Sequence, residues 1–422
     1  MIQASLTSAA TSVRGRAAGL DARLVVALLL LAAFCAMALA RVWSGFPADL
    51  SALFMAGHLY ATGQADLIYA APPGFFNASP AEWTPLLPAL GLADQYPLPY
   101  VYPPLWAALF APLSTLGAPA FFQVFAVVEI AMLAASVVLA WRLCRAFAIP
   151  LWAWILLSTV LMASSVITFT ALIHLQPQII VVFLILLAFE RYSAGNHATA
   201  GAILAIAALL KLAPAALILI FILDRNWRAL ATFALTCAIF ITLSLTFMGP
   251  DLHRDFLTSM AAASAGVFVT TVNFSFELVL HGLSGGMDLT AKDFTLPDNA
   301  LFPAITKATL IISLLWVIFK TNALPETHRL PARLLLLTVL INLFGPLSWA
   351  HYYLPQLFLL PALIGLLPKP QGAILCAGVA IATSWAMLLI MNSQFSGDFP
   401  FAALGATTMF ALFILVTARV RA

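Results

Sequence analysis

The sequence predicts an all-α protein that crosses a membrane many times, with roughly 10 to 13 transmembrane or re-entrant helices and a large first loop on one side. Three observations carry that expectation. Hydrophobic residues fill 63% of the 422 positions and charged residues only 8%, against about a quarter in a soluble globular chain. Apolar runs of about 20 residues, the length that spans a hydrocarbon core, recur from one end of the chain to the other. Lys and Arg gather in short stretches between those runs, as they do in cytoplasmic loops. Without water in the bilayer core, such runs must be helices that close their own backbone hydrogen bonds. The formal charge of +3 is too small to point to nucleic acid, and it reads as asymmetry between two membrane faces.

The elements follow in order along one continuous membrane domain. Arg14, Arg16 and Arg23 precede an apolar run over 24–40 that ends in small residues. A cleaved leader would end that way, but the long polar region ahead of the run favours an uncleaved first transmembrane helix. Residues 41–118 form the first outer loop and a re-entrant segment. No Lys or Arg occurs between Val42 and Trp141, whereas Asp49, Asp66, Glu82 and Asp94 do, so this stretch is expected outside. Core helices occupy 119–248, a second outer loop 249–300, and C-terminal helices 301–422. Arg142 with Arg145, Arg191, Arg225 with Arg228, the stretch from Lys320 to Arg333, Lys369, and Arg419 with Arg421 mark returns to the cytoplasm. Both termini are then inside, in a bacterial plasma membrane with the working face toward the periplasm. The scheme closes only if 102–117 and 199–223 do not cross fully. The second is broken at Lys211-Leu212-Ala213-Pro214, where proline removes a donor and crowds the preceding turn. The four cysteines stand singly without metal-type spacing and read as small buried hydrophobes.

Polar groups from remote sequence converge on the outer face: the Asp49 loop, His174-Leu175-Gln176-Pro177-Gln178, the 249–300 loop, Ser348-Trp349-Ala350-His351, and 392–398. Nothing comparable is expected inside. Asp49 reads either as a cap on an interfacial helix or as a general base whose proton affinity is raised by partial desolvation. Lys211 costs about 2.5 to 3.5 kcal/mol at mid-helix, so it either snorkels or faces a cavity where it can neutralise a phosphate. Glu129 is similarly costly, and a structural hydrogen bond explains it as well as any role. His351 reads as a belt residue or as a donor to phosphate oxygens. Arg254, in the second outer loop with Lys292, is either a solvated charge or a fork onto phosphate. The prolines at 72, 73, 80, 85 and 88, with Trp83, Tyr100, Tyr102 and Trp106, suit an irregular lid at headgroup depth or a surface that stacks on sugars. Phosphate-cradling Gly-rich loops, His-Glu-x-x-His and Asp-x-Asp are absent, so any phosphate is left to Lys, Arg and His.

The stretch Asp49-Leu-Ser-Ala-Leu-Phe-Met-Ala-Gly-His58-Leu-Tyr-Ala-Thr-Gly63, then Tyr102-Pro103-Pro104, Leu210-Lys211-Leu-Ala-Pro214, Asn273-Phe274-Ser275 and Gly345-Pro346-Leu-Ser348-Trp349-Ala-His351-Tyr352 together resemble the family 87 glycosyltransferases. That resemblance implies the C-type glycosyltransferase architecture and transfer of a hexosyl, mannosyl residue from a polyprenyl-phosphate sugar to a glycolipid or glycan hydroxyl. It implies Asp49 as catalytic base, and Lys211 with the Trp349-x-His351 segment as the lining of the donor pocket. Ser348, Arg254, Gln176, Gln178, Tyr102, Asn273 and His58 complete the expected substrate-binding set, with no metal and no cofactor. The chain departs from the family pattern at His174–Gln178, where a Gly-Gln-x-Asn-like element is expected, and at Tyr352, where a second histidine is. An outer-face polysaccharide polymerase or ligase, or a lipid-linked sugar transporter, are the alternatives. The first would present several outer-loop arginines, and the second intramembrane acids along a pathway.

Overall fold

A computed structural model describes residues 21–72, 79–285, 294–295, 300–345 and 347–420; Arg14, Arg16, Pro73, Lys292, Pro346 and Arg421 lie outside them. The chain is helical almost throughout, as expected. Helix α1 (Ala22–Val42) starts where the Asp21 carboxylate accepts a hydrogen bond from the Arg23 backbone N–H at 3.0 Å. Helix α2 (Ala48–Ala61) follows, then an irregular stretch with three short 3-10 turns. Helix α3 (Leu105–Ser114) has ten residues, about 15 Å of length, so it enters a bilayer without crossing it. Helix α4 (Ala118–Leu143) is long and apolar enough to cross. Helices α5 (Leu151–Ser164), α6 (Val166–Ile173) and α7 (Gln178–Ser193) come next, the last two bent by 118° at 174–177. Helix α8 (His197–Leu210) breaks before a 3-10 turn (Ala213–Leu217) and α9 (Ile218–Leu223). Both stretches that the topology required to be incomplete are therefore short or broken.

Helix α10 (Trp227–Ala265) differs from expectation, because the second loop starts as helix rather than as irregular chain. Gly249 holds φ 75 and Pro250 follows, so the axis turns at glycine and restarts at proline, which tolerates the first helical turn. The His253 Nδ1–H donates to the Gly249 carbonyl at 2.7 Å while its Nε2 accepts from the Ser244 hydroxyl at 2.8 Å, bridging the kink. Beyond it lie a short antiparallel pair, β1 (Val267–Phe268) with β2 (Phe294–Thr295), and helices α11 (Phe276–Ser284), α12 (Leu301–Asn322) and α13 (Glu326–Leu343). The chain ends in α14 (Leu354–Leu359), α15 (Leu363–Leu366), α16 (Gln371–Ala382), α17 (Trp385–Gln394) and α18 (Phe399–Arg419). By length and composition five helices suffice to cross a membrane, or six if the bent α6–α7 pair is one span.

Packing separates lipid-facing from central helices. On α10 and α12, Leu235, Phe247, Ile312 and Phe319 are all more than 60% exposed, an apolar surface suited to contact with lipid. Helix α13 lies at the centre, with Leu334 through Leu340 buried. Helix α2 packs against α3 at Gly57, where an added Cβ would sit 3.0 Å from the Phe110 carbonyl carbon. Trp83, Tyr100 and Tyr102 of the first loop are buried rather than arrayed at a surface, and Trp83 donates from its indole to the Leu67 carbonyl at 2.8 Å. Among the cysteines, Cys144 and Cys376 are buried, Cys35 and Cys237 half-buried, and all four are free.

A second polar cluster stands where none was expected. Arg333 is buried and donates to Asp224 at 2.5 Å, to Asn322 at 2.6 Å and to Thr321 at 3.2 Å, while the Tyr192 hydroxyl also donates to Asp224. Nearby, the buried Glu190 pairs with Arg142 at 2.7 Å and with Arg191. All these groups have partners, so the cluster ties helix ends together.

Candidate functional site

Asp49 occupies the first turn of α2, after Pro47 at the cap position. Its carboxylate is not spent on capping. It faces the break between α6 and α7, where His174 Nδ1 lies 3.5 Å from Asp49 Oδ2 and the Gln176 amide donates a hydrogen bond to it. The Leu50 N–H donates to the His174 carbonyl at 3.3 Å, locking the two segments together. Leu175 at the bend holds φ 42, a left-handed conformation that costs a residue with a Cβ about 1 kcal/mol or more. That turn brings His174 and Gln176 to the side of Asp49. Burial pushes the Asp49 carboxyl above the ordinary carboxylate range; His174, the hydrogen bond from Gln176 and the charge of Lys211 pull it back without reversing the shift.

Lys211 reaches the same place from another break. Helix α8 ends at Leu210, Lys211 adopts an extended backbone (φ −151, ψ 125), and the chain resumes as a 3-10 turn containing Pro214. Its ammonium lies 3.8 Å from the centre of the Tyr352 ring. Lys211 and Tyr352 line a cavity with Gln178, Asn342, Ile185 and Leu217, so the lysine neither snorkels nor meets lipid. Polar and apolar side chains thus share its lining.

Further groups converge there. Tyr102 is buried and senses the charge of Asp49 and the neighbouring Tyr352 and Glu129. His351 is buried, within reach of the charges of Lys211 and His174, parallel to Trp349 at 6.5 Å and edge-on to Tyr352 at 4.9 Å. Its Nε2 and the Oε1 atoms of Gln176 and Gln178 are buried without a hydrogen-bond partner among the described residues. Buried polar atoms are rarely left so; three around one cation and one acid fit a polar ligand. Glu129 is fully buried on α4 with both carboxyl oxygens likewise unpartnered, so the structural hydrogen bond open to it from sequence is not formed. Among the described residues no three of His, Cys, Asp and Glu come together as metal ligands would.

Other expected site residues have different placements. Asn273 is buried and fully engaged: its Nδ2 donates to the Phe268 carbonyl at 2.7 Å and its Oδ1 accepts from the Ser348 N–H at 3.0 Å. Ser348 shares a hydrogen bond with Tyr353 at 2.8 Å. These two hold the segment that carries His351 rather than facing the cavity. Trp349 is half-buried, stacked on His351 and tilted by 53° against Phe268. Arg254 is exposed and paired with Asp251 at 2.9 Å. His58 lies nine residues from Asp49 along α2, about 14 Å at helical rise, and stacks on Phe54. Neither joins the cluster. His174 and Tyr352 do join it, although sequence reasoning had left both outside the site; the signal for His174 was its place beside a helix-breaking proline and two glutamines.

The family model of glycosyltransferase family 87 matches residues 100–346, more than half of the chain. No curated protein matches it. The chain belongs to glycosyltransferase family 87, and it is a sugar-transferring enzyme with several membrane-spanning helices. The matched stretch contains Tyr102, Gln176, Gln178, Lys211 and Asn273, whereas Asp49 and Ser348 to His351 lie beyond its ends.

Proposed function

For this family 87 glycosyltransferase, we propose transfer of a hexosyl, mannosyl residue from a polyprenyl-phosphate sugar to a glycolipid or glycan hydroxyl at the periplasmic side of the membrane, with inversion and with Asp49 as base. The observation that carries the reading is that Lys211, 162 positions from Asp49 in sequence numbering, lines a cavity of mixed polar and apolar side chains and rests over the Tyr352 ring at 3.8 Å, with Asp49 near enough for the two charges to interact.

The acceptor hydroxyl loses its proton to Asp49 as its oxygen forms the new bond to the anomeric carbon. The bond from that carbon to the phosphate oxygen breaks, and its electron pair leaves with the lipid phosphate. Lys211 meets the charge that grows there, and His351 donates to the phosphate oxygens. Fixed charges count most in such a low-dielectric recess. Gln176 and His174 orient the base, Gln178 and Tyr102 border the sugar, and apolar residues such as Ile185 and Leu217 suit the start of the prenyl chain. The position of Asp49 at the head of α2 lets it meet a hydroxyl arriving from water while the donor tail stays among helices.

The deciding experiment is Asp49→Asn in purified protein given a radiolabelled polyprenyl-phosphate mannose and membrane lipid extract. A general base contributes about 10² to 10⁴ in rate, so label in product should fall by at least that factor while donor binding and expression persist. Turnover near that of the unmodified enzyme would remove Asp49 from the mechanism.

A further inference from the structure

Resting on the lipid-phosphate reading above, we propose that Tyr352 is a positioning residue: its ring face holds the Lys211 ammonium apart from Asp49, keeping the carboxylate free as a base and the ammonium free for an arriving phosphate. Lys211 and Asp49 sense one another's charge, yet they form no direct ion pair among the described residues. Opposite charges in a recess of low dielectric attract strongly, so a flexible lysine with nothing to hold it would close onto the acid. What holds it is the Tyr352 face at 3.8 Å, inside the ~6 Å reach of a cation–π contact.

The ring is itself fixed. The Tyr352 carbonyl accepts from the Asn342 side-chain amide at 2.6 Å, its N–H donates to the Trp349 carbonyl at 2.8 Å, and His351 packs edge-on against the ring. A cation–π contact is weaker than a charge-assisted hydrogen bond to phosphate. The ammonium therefore rests on the ring when the cavity is empty of donor and swings to phosphate when the donor enters. Facing Asp49 from the elements around it are His174 and Gln176 at the α6–α7 break, Lys211 after α8, Tyr102 before α3, and Tyr352 before α14. Of these only Lys211 carries an amine on a long, flexible side chain.

The test compares the unmodified full-length chain, Tyr352→Phe and Tyr352→Leu in lipid nanodiscs. Three quantities are read: the pH dependence of transfer from a polyprenyl-phosphate sugar, its donor KM, and the titration of Asp49 by 13C NMR with labelled aspartate, assigned through Asp49→Asn. With the ring gone in Tyr352→Leu, Lys211 pairs with Asp49, the ionised acid is favoured, and its midpoint falls by about 1 unit or more. Transfer at the donor kcat/KM level falls about 100-fold, as when one fixed charge is lost from the leaving group. Tyr352→Phe keeps the face and holds the midpoint of the unmodified chain. An Asp49 midpoint and donor KM unmoved by leucine overturns the proposal, and so does a shift in the phenylalanine variant as large as in leucine. If the unmodified chain makes no product from a polyprenyl-phosphate sugar, the lipid-phosphate reading falls, while the Asp49 titrations in the three proteins still decide whether Tyr352 keeps acid and cation apart.

Discussion

Asp49 shows how a residue's environment selects among its possible chemistries. A carboxylate in the first turn of a helix is favoured by the helix dipole whatever else it does, and sequence leaves capping and proton transfer equally open. The structure turns the group toward His174 and Gln176 instead. A pH dependence follows. As a base Asp49 must be ionised, and burial holds its proton affinity above the usual carboxylate range. The transfer rate is then full at higher pH and lost as pH falls through a midpoint above about 3.9, the value of an exposed aspartate. Replacing His174 with Ala removes the nearest charge that favours ionisation, so the midpoint of kcat against pH moves further up. A limb at or below the exposed value, or one that His174→Ala moves down, would assign the titration to another group.

At the scale of elements, the site is made where helices stop. Lys211 stands at the extended residue after α8, His174 and Gln176 flank the left-handed Leu175 after α6, and Asp49 opens α2. Prolines at 47, 177 and 214 mark these breaks in the sequence, which is why the elements and their interruptions were legible from composition and breaker residues alone. The staple at Asn273 was not legible in that way. Its residue type suggested substrate contact, but its amide is saturated by Phe268 and Ser348, an interaction across 75 positions that no local pattern encodes. Asn273→Ala removes the hydrogen bonds to the Phe268 carbonyl and from the Ser348 N–H, and the loss of the acceptor for the buried Ser348 N–H alone costs about 1 to 3 kcal/mol. The expected result is a lower thermal midpoint in detergent together with a raised donor KM as the His351 segment loosens. An unchanged midpoint would mean that the segment is held elsewhere.

For the whole molecule, the two polar clusters sit at opposite ends of α7. Gln178 opens that helix at the cavity and Glu190 lies twelve residues on, about 18 Å away. One cluster has partners for every charge; the other holds buried polar atoms without them. The proposed orientation, with the cavity end outside, rests on the distribution of Lys and Arg and can be checked directly. In a background with the four native cysteines replaced by alanine, Tyr96→Cys, at a position 71% exposed in the first loop, should react with a membrane-impermeant thiol reagent on intact cells. Lys369→Cys, also exposed, should react only after permeabilisation. The reverse labelling would invert the topology and with it the side on which the acceptor is met.

Composition, apolar run length and breaker positions by themselves determined that this chain is a helical membrane protein, that two of its apolar stretches are short or broken, and which family its motifs resemble. They do so because the lipid environment constrains each segment locally: length, charge and backbone satisfaction are properties of a single run. Tertiary structure alone decided that Asp49, His174, Lys211, Tyr352 and His351 come close to one another, that Arg254 and His58 stand apart from them, and that Asn273 is a staple. Those outcomes depend on which helix ends pack together and in what rotation, and free energy of that kind belongs to contacts between distant segments, which no single stretch of sequence contains.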